Sequence, residues 1–133
     1  MGKNAFTLIE LLVILAIVGL LASIALPAYH RYIYAGRRSD AMNALLQLQL
    51  AQEKYRANHP AYAPDLATLG LSGNSVQGYY SIALAAPDPP SSYSATATPS
   101  GVQAGDTLCP RFVLNQEGPD MINTPNASAC WKK

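Results

Sequence analysis

The first long stretch of the chain, Phe6–Pro27, is almost entirely apolar. Leu8–Leu26 contains thirteen Leu, Ile or Val residues, and no charge occurs between Leu11 and Tyr29. This length matches the roughly twenty residues that a helix needs to cross a bilayer. Insertion of these thirteen side chains into a bilayer would contribute at most about 4–8 kcal/mol of favourable free energy. Glu10 would cost only about 2.5–3.5 kcal/mol even at mid-bilayer. The pattern therefore predicts a membrane-spanning helix over 6–27.

Residues 28–58 change to an amphipathic helical pattern. Apolar or aromatic side chains recur there at steps of three and four residues, at Ala41, Ala44, Leu45, Leu48, Ala51 and Tyr55. Such spacing places them on one helix face that packs against a core. Asn58 and Pro60 end the run. We expect one helix over 6–58, about 80 Å long.

Residues 59–133 have the pattern of a small β-rich head. Loop signals fill 61–78, and strands are predicted at 79–84, 93–98 and 111–115. The second strand alternates, with Tyr93, Ala95 and Ala97 on one face. We expect a three- or four-stranded antiparallel meander on the helix, followed by an irregular tail from Gly118. The fold class is therefore α+β.

Composition leaves room for one modest domain with a small core. The net charge of +1 and the few exposed cations disfavour nucleic acid as a partner. His30 and His59 have no second ligand at helical spacing, so we expect no metal and no cofactor. Cys109 and Cys130 suit a disulfide that would stabilise the fold by roughly 3 kcal/mol. Two reduced core thiols in a cytosolic protein are the alternative.

Glu10 is the most informative residue of the apolar segment. A secretory signal peptide, with a weak cleavage site around Ala22–Ala25, would explain the hydrophobic run, and so would a plain membrane anchor. Neither explains an acid four residues inside that run. An intramembrane carboxylate is costly and indicates a functional site with a partner.

The segment Phe6-Thr7-Leu8-Ile9-Glu10-Leu11, followed by Gly19 and Pro27, resembles the start of type IV pilins and of type II secretion pseudopilins. The resemblance implies that a prepilin peptidase removes the leader 1–5 by cleaving between Ala5 and Phe6, and that the Phe6 amine is then methylated. It also implies that Glu10 pairs with the Phe6 amine of a neighbouring subunit during assembly. Ala5 departs from the glycine usual before the cleavage point.

The resemblance also concerns the rest of the helix and the C-terminus. In the family, the stretch that corresponds to Gly19–Pro27 can loosen in the assembled filament, and a plain kink at Pro27 is the alternative. The tail closed by Cys109 and Cys130 is similar to the disulfide loop on the outer surface of pilins. The implied location is the bacterial inner membrane before assembly and the extracellular pilus afterwards.

Charge around the apolar segment conflicts with that location. Arg31, Arg37 and Arg38 follow the segment, whereas Lys3 and the amino terminus precede it. By the positive-inside rule this would place the head in the cytoplasm. The expected disulfide and the family resemblance place it outside, and we follow these two.

We expect no enzyme, because the chain carries no plausible nucleophile–base set and no phosphate-binding loop. The resemblance favours a type IV pilus subunit, and a minor one, serving adhesion, twitching motility or DNA uptake. Its partners would be other pilin subunits, the peptidase and the assembly machinery. A secretion pseudopilin and a membrane-anchored periplasmic domain that does not polymerise are the alternatives.

Overall fold

The computed structural model describes residues 6–86 and 91–132. The predicted leader 1–5, including Ala5, lies outside the described residues. By its contacts the chain divides into two compact units, Met1–Ile33 and Tyr34–Lys133. One helix, α1 (Leu8–Arg56), contributes to both. It ends two residues before the predicted Asn58 and is continuous through Pro27.

The N-terminal unit consists of the apolar part of α1. Its large apolar side chains are exposed, with Leu20 66% and Ile24 69% accessible. An 18-residue window has a mean hydropathy of 2.8, and none of it is buried within the protein. By length and composition this helix could cross a membrane, as the sequence predicts.

The C-terminal unit, which we call the head, contains a four-stranded sheet in the order β1–β2–β3–β4. The strands are β1 (Tyr80–Ala85), β2 (Ser94–Pro99), β3 (Phe112–Asn115) and β4 (Gly118–Pro119). All neighbours pair antiparallel. The three predicted strands are confirmed to within one residue at each end. The fourth is a two-residue strand inside the segment predicted as an irregular tail.

The head buries one core between the sheet and the part of α1 that begins at Tyr34. Leu45 and Leu48 of α1 meet Tyr80, Phe112 and Leu114 of the sheet, and all are essentially inaccessible. The predicted face of α1 is confirmed, because each of its six positions is buried or half-buried. The predicted alternation of β2 is confirmed as well. The predicted α+β architecture is therefore correct.

Two short elements complete the head: a 3₁₀ helix over Gly101–Gly105 and α2 (Ala127–Cys130). Cys109 and Cys130 form the predicted disulfide, with 5.7 Å between their Cα atoms. Both cysteines are fully buried. The bond thus ties α2 to the segment just before β3.

Candidate functional site

The first turn of α1 holds the carboxylate of Glu10 through Thr7. The backbone N–H and the hydroxyl of Thr7 each donate to Oε2 of Glu10 over 2.9 Å. In return, the Glu10 N–H donates to Oγ1 of Thr7 over 3.3 Å. This is the reciprocal pattern of a capping box, which satisfies free N–H groups at a helix start. Thr7, which sequence reasoning passed over, is therefore the local partner of Glu10.

Glu10 lies beside apolar side chains on the same turns of the helix. A shallow groove of about 270 Å³ is lined by Glu10 together with Phe6, Ile9, Val13 and Ile14. The structure places Phe6 just before α1 and Glu10 in its first turn, at the beginning of the apolar segment. It describes a single subunit, so the expected pairing of Glu10 with another subunit's amine stays a prediction.

Gly19 and Pro27 lie inside α1, and no contact within the described residues requires a glycine or a proline at these positions. A Cβ at Gly19 would meet no atom within 4 Å. The guanidinium of Arg31 donates to the carbonyl oxygen of Pro27 over 3.4 Å. The predicted loosening of this stretch in a filament stays a prediction.

In the head, a buried ion pair connects α1 to the segment before the disulfide. Arg38 donates through Nε and Nη2 to the two carboxylate oxygens of Asp106, over 2.7 and 2.8 Å. The side chains of Arg38 and Asp106 are 12% and 3% exposed. The hydrogen bond to Asp106 raises the pKa of Arg38. From the sequence, Arg38 counts only as one of the cations that follow the apolar segment; the structure shows that Asp106 holds it within the head.

Gln103 extends this connection through its side-chain amide. Its Nε2 lies 2.9 Å from the hydroxyl of Tyr80 and 3.2 Å from the carbonyl oxygen of Tyr34, to which it donates. Burial raises the pKa of Tyr80 to about 12, since the charged phenolate is poorly solvated in the core. The 3₁₀ helix that carries Gln103 is thereby fixed to both the sheet and α1.

A second buried acid, Asp40, fixes the loop before β1. Its carboxylate accepts hydrogen bonds from the hydroxyl of Ser75 and from the N–H of Gln77. The same Ser75 hydroxyl accepts from the N–H of Tyr80, at the start of β1. No sequence signal singled out Asp40, Gln103 or Asp106. Each has a partner far away along the chain: Ser75 at 35 residues, Tyr34 at 69 and Arg38 at 68, respectively.

The disulfide loop contains a hydrogen-bonded turn that follows β4. Asp120 accepts from the N–H groups of Ile122 and Asn123 over 3.0 and 2.9 Å. Ile122 is consequently held with 93% of its surface exposed. Within 6–86 and 91–132, no group of three or more His, Cys, Asp or Glu side chains is placed to hold a metal ion.

Comparison with known proteins gives two family matches that together span most of the chain. Residues 27–113 match the family described as type IV minor pilin ComP, DNA uptake sequence receptor. Residues 1–26 match the prokaryotic N-terminal methylation motif. The first match covers the second half of α1 and the sheet through Val113, and the second covers the capping box and Gly19.

Individual relatives agree with these families. The chain is 34% identical to the fimbrial protein EcpC of Eikenella corrodens over 105 residues, which are 77% of this chain and 68% of that protein. It is 38% identical to the type IV major pilin PilE of Neisseria gonorrhoeae over 79 residues, 59% of this chain. That match covers only 47% of PilE, so the chain spans about half the length of this relative.

A solved structure shares the fold. The type IV pilin from Shewanella oneidensis superimposes with a TM-score of 0.56 at 23% identity, covering 75% of this chain and 99% of that chain. At 23% identity the likeness concerns the fold alone.

Proposed function

Because the chain belongs to the type IV minor pilin family of ComP, we propose that it is a minor pilus subunit that takes part in DNA uptake. The match of residues 27–113 to that family is the observation that carries the proposal. The chain is a structural pilin and not an enzyme. Adhesion and twitching motility are general roles of pili.

This proposal departs from the expectation that nucleic acid is a disfavoured partner. That expectation rested on the net charge of +1 and the few cations in the sequence. Net charge describes the average surface, whereas binding depends on where individual cations lie and whether acids neutralise them. A nearly neutral chain can therefore present a local basic surface.

We further propose the maturation path that the N-terminus favours. The leader 1–5 is removed between Ala5 and Phe6, the Phe6 amine is methylated, and the apolar segment 6–27 holds the subunit in the inner membrane before assembly. The match of residues 1–26 to the methylation motif supports this path. The exposed apolar surface of α1 supports it too, because only lipid or neighbouring helices would cover those side chains favourably.

In the same proposal, Glu10 is the residue that joins one subunit to the next. Its capping bonds to Thr7 compensate part of the cost of a carboxylate in lipid while the subunit is stored. A neighbour's Phe6 ammonium would supply the missing positive charge, so the attraction arises only when two subunits meet. Gly19 and Pro27 would adapt the helix to its neighbours in the filament.

Deletion of the gene in a piliated, naturally competent host tests the function. We expect uptake of duplex DNA into a DNase-resistant state to fall by at least tenfold, while the amount of sheared pili stays unchanged. The protein should occur in trace amounts in those pili. A dominant band there would make it the main subunit, and a secretion defect with normal DNA uptake would indicate a pseudopilin.

Mass spectrometry of the sheared fraction tests the maturation path. The expected N-terminal peptide begins at Phe6 and carries one additional methyl group. A peptide that begins at Met1 would contradict cleavage after Ala5.

A further inference from the structure

The disulfide loop contains a polar side chain that bridges its two ends independently of the cysteines. Asn126 precedes α2, and its Nδ2 donates to the carbonyl oxygen of Leu108 over 2.8 Å. Leu108 lies directly before Cys109 in the chain. The hydrogen bond joins residues 18 positions apart, and the disulfide joins residues 21 apart. The two links therefore close almost the same loop, one of them without a covalent bond.

The backbone of Asn126 also fixes where Cys130 lies. Its carbonyl oxygen accepts from the N–H of Ala129 over 2.8 Å and from the N–H of Cys130 over 3.0 Å. These bonds form the single turn of α2, which ends at Cys130. Through its amide and its carbonyl, Asn126 thus connects the residue before one cysteine to the other cysteine itself.

Asn126 has a backbone conformation that few residue types adopt at low cost. Its φ of 52° and ψ of 36° lie in the left-handed region. It is the one non-glycine residue with a positive φ within 6–86 and 91–132. Glycine enters this region freely and asparagine occasionally, whereas alanine is strained there. An asparagine before a helix commonly caps it, yet this side chain makes no capping bond to α2, so its amide is left for Leu108.

Contacts other than the disulfide hold the same segments on the head. The ring of Trp131 packs edge-to-face on Phe112 at 5.4 Å, and its Nε1 donates to Oγ1 of Thr124 over 3.3 Å. At the other end of the loop, the N–H of Cys109 donates to the carboxylate of Asp106 over 3.4 Å. None of these contacts requires a bond between the two sulfur atoms.

We propose that Asn126 is a positioning residue for closure of the disulfide, and that it brings Cys130 to Cys109 before the sulfurs are joined. The entropy lost on closing a loop depends only weakly on the length of the loop. The bond from Asn126 to Leu108 therefore accounts for most of the entropy that the disulfide would otherwise have to offset. The two thiols then react at a high effective concentration.

The closure itself consumes one molecule of a disulfide oxidant. The thiolate of one cysteine attacks the oxidant, forms a mixed disulfide and releases one thiolate. The other cysteine then displaces a second thiolate from that mixed disulfide. Two electrons pass to the oxidant, and the two protons of the cysteine thiols leave with the released thiolates or with water. Asn126 takes no part in this exchange and acts only on the distance between the thiols.

Equilibration with glutathione measures the effective concentration of the two thiols. The full processed chain in nanodiscs is equilibrated with mixtures of reduced and oxidised glutathione, and thiol alkylation with mass spectrometry gives the closed fraction. Asn126→Asp keeps the shape of the side chain but removes its N–H donor, and should lower the equilibrium constant for closure about fivefold. Asn126→Gly keeps only the left-handed conformation and should lower it equally. Asn126→Ala loses both features and should lower it about twentyfold.

Asn123→Ala is the matched control within the same loop. The amide of Asn123 donates to the carboxylate of Asp120, three residues away. Its removal should leave the equilibrium constant for closure unchanged. A residue that only stabilises the folded head would act on the reduced and the oxidised protein alike. A lower unfolding free energy of the Asn126 variants with an unchanged equilibrium constant would therefore overturn the proposal.

Hydrogen exchange in Cys109→Ala/Cys130→Ala tests the turn in the absence of both sulfurs. The amide hydrogens of Ala129 and of position 130 should stay protected in that protein, because Asn126 still accepts from them. Addition of Asn126→Asp should make both exchange faster, since the turn loses its bond to Leu108. Rapid exchange of both amides before that addition would mean that the turn forms only after the disulfide, and would overturn the proposal.

Discussion

The two compact units of the chain differ in where their apolar side chains find partners. In the first unit, Leu20 and Ile24 are mostly exposed, whereas in the head Leu45 and Leu114 are inaccessible. The head closes on itself through a core, a disulfide and buried polar pairs. The first unit leaves its apolar surface for lipid or other subunits. Substitutions in the head should therefore change stability, and substitutions in the first unit should change assembly.

Loss of the disulfide should have the largest effect on the stability of the head. Cys109→Ala/Cys130→Ala should lower the free energy of unfolding of the head by about 3 kcal/mol, because the cross-link limits the unfolded chain. Membrane insertion should be unchanged. Denaturant unfolding followed by tyrosine and tryptophan fluorescence, with membrane fractionation alongside, measures both. An unfolding free energy within 0.5 kcal/mol of the unmodified protein's would show that the head does not depend on the bond.

Breaking the buried ion pair should have the next largest effect. Asp106→Asn leaves the Arg38 guanidinium inside the head without its carboxylate, and should lower the unfolding free energy by about 2 kcal/mol. Glu117→Gln, which removes an exposed acid, serves as the control and should change it by less than about 0.5 kcal/mol. If both substitutions lower the unfolding free energy equally, the ion pair contributes no more to stability than an exposed acid does.

Glu10 lies in the first unit, where a substitution should change assembly and not the stability of the head. Glu10→Gln should leave the unfolding of the head unchanged, yet reduce the protein's incorporation into sheared pili by about tenfold or more, because the attraction to a neighbour's amine is lost. Immunoblotting of sheared and membrane fractions measures the distribution, again with Glu117→Gln as the control. Normal incorporation would contradict a role for Glu10 in assembly.

The effect that is absent near neutral pH and develops only at alkaline pH concerns two buried tyrosines. Burial raises the pKa of Tyr80 and Tyr93 to about 12, above the usual value of 10. The unfolded chain then loses these protons first, so the stability of the head should fall as the pH rises from about 10 to 12. Insertion of the first unit into the membrane should not decrease over this pH range.

Tyr93→Phe separates the contribution of Tyr93 to that pH response. The Tyr93 hydroxyl is buried and has no hydrogen-bond partner among the described residues. Its removal should be neutral or slightly stabilising near pH 7 and should make the alkaline loss shallower. Unfolding midpoints measured from pH 7 to 11.5 check this, and an unchanged alkaline slope would contradict the assignment.

The sequence by itself determined the features that depend on local order along the chain. The apolar run and the acid at Glu10 are visible in the order of the residues themselves. The amphipathic face from Ala41 to Tyr55 follows from side-chain periodicity, since a helix brings residues three and four apart onto one side. The alternation of β2 is similar, because a strand repeats every two residues. The disulfide could be predicted from the sequence because the chain has only two cysteines.

Only the tertiary structure decided which polar residues have partners. Arg38 and Asp106 are 68 residues apart, and Asp40 and Ser75 are 35 apart, so no local spacing relates them. The structure likewise brought the side chain of Gln52 to the backbone of Ala63 and the guanidinium of Arg56 over the ring of Tyr62. The physical reason is that a buried polar group must find a hydrogen-bond partner wherever the fold supplies one, and such partners leave no periodic signal in the sequence.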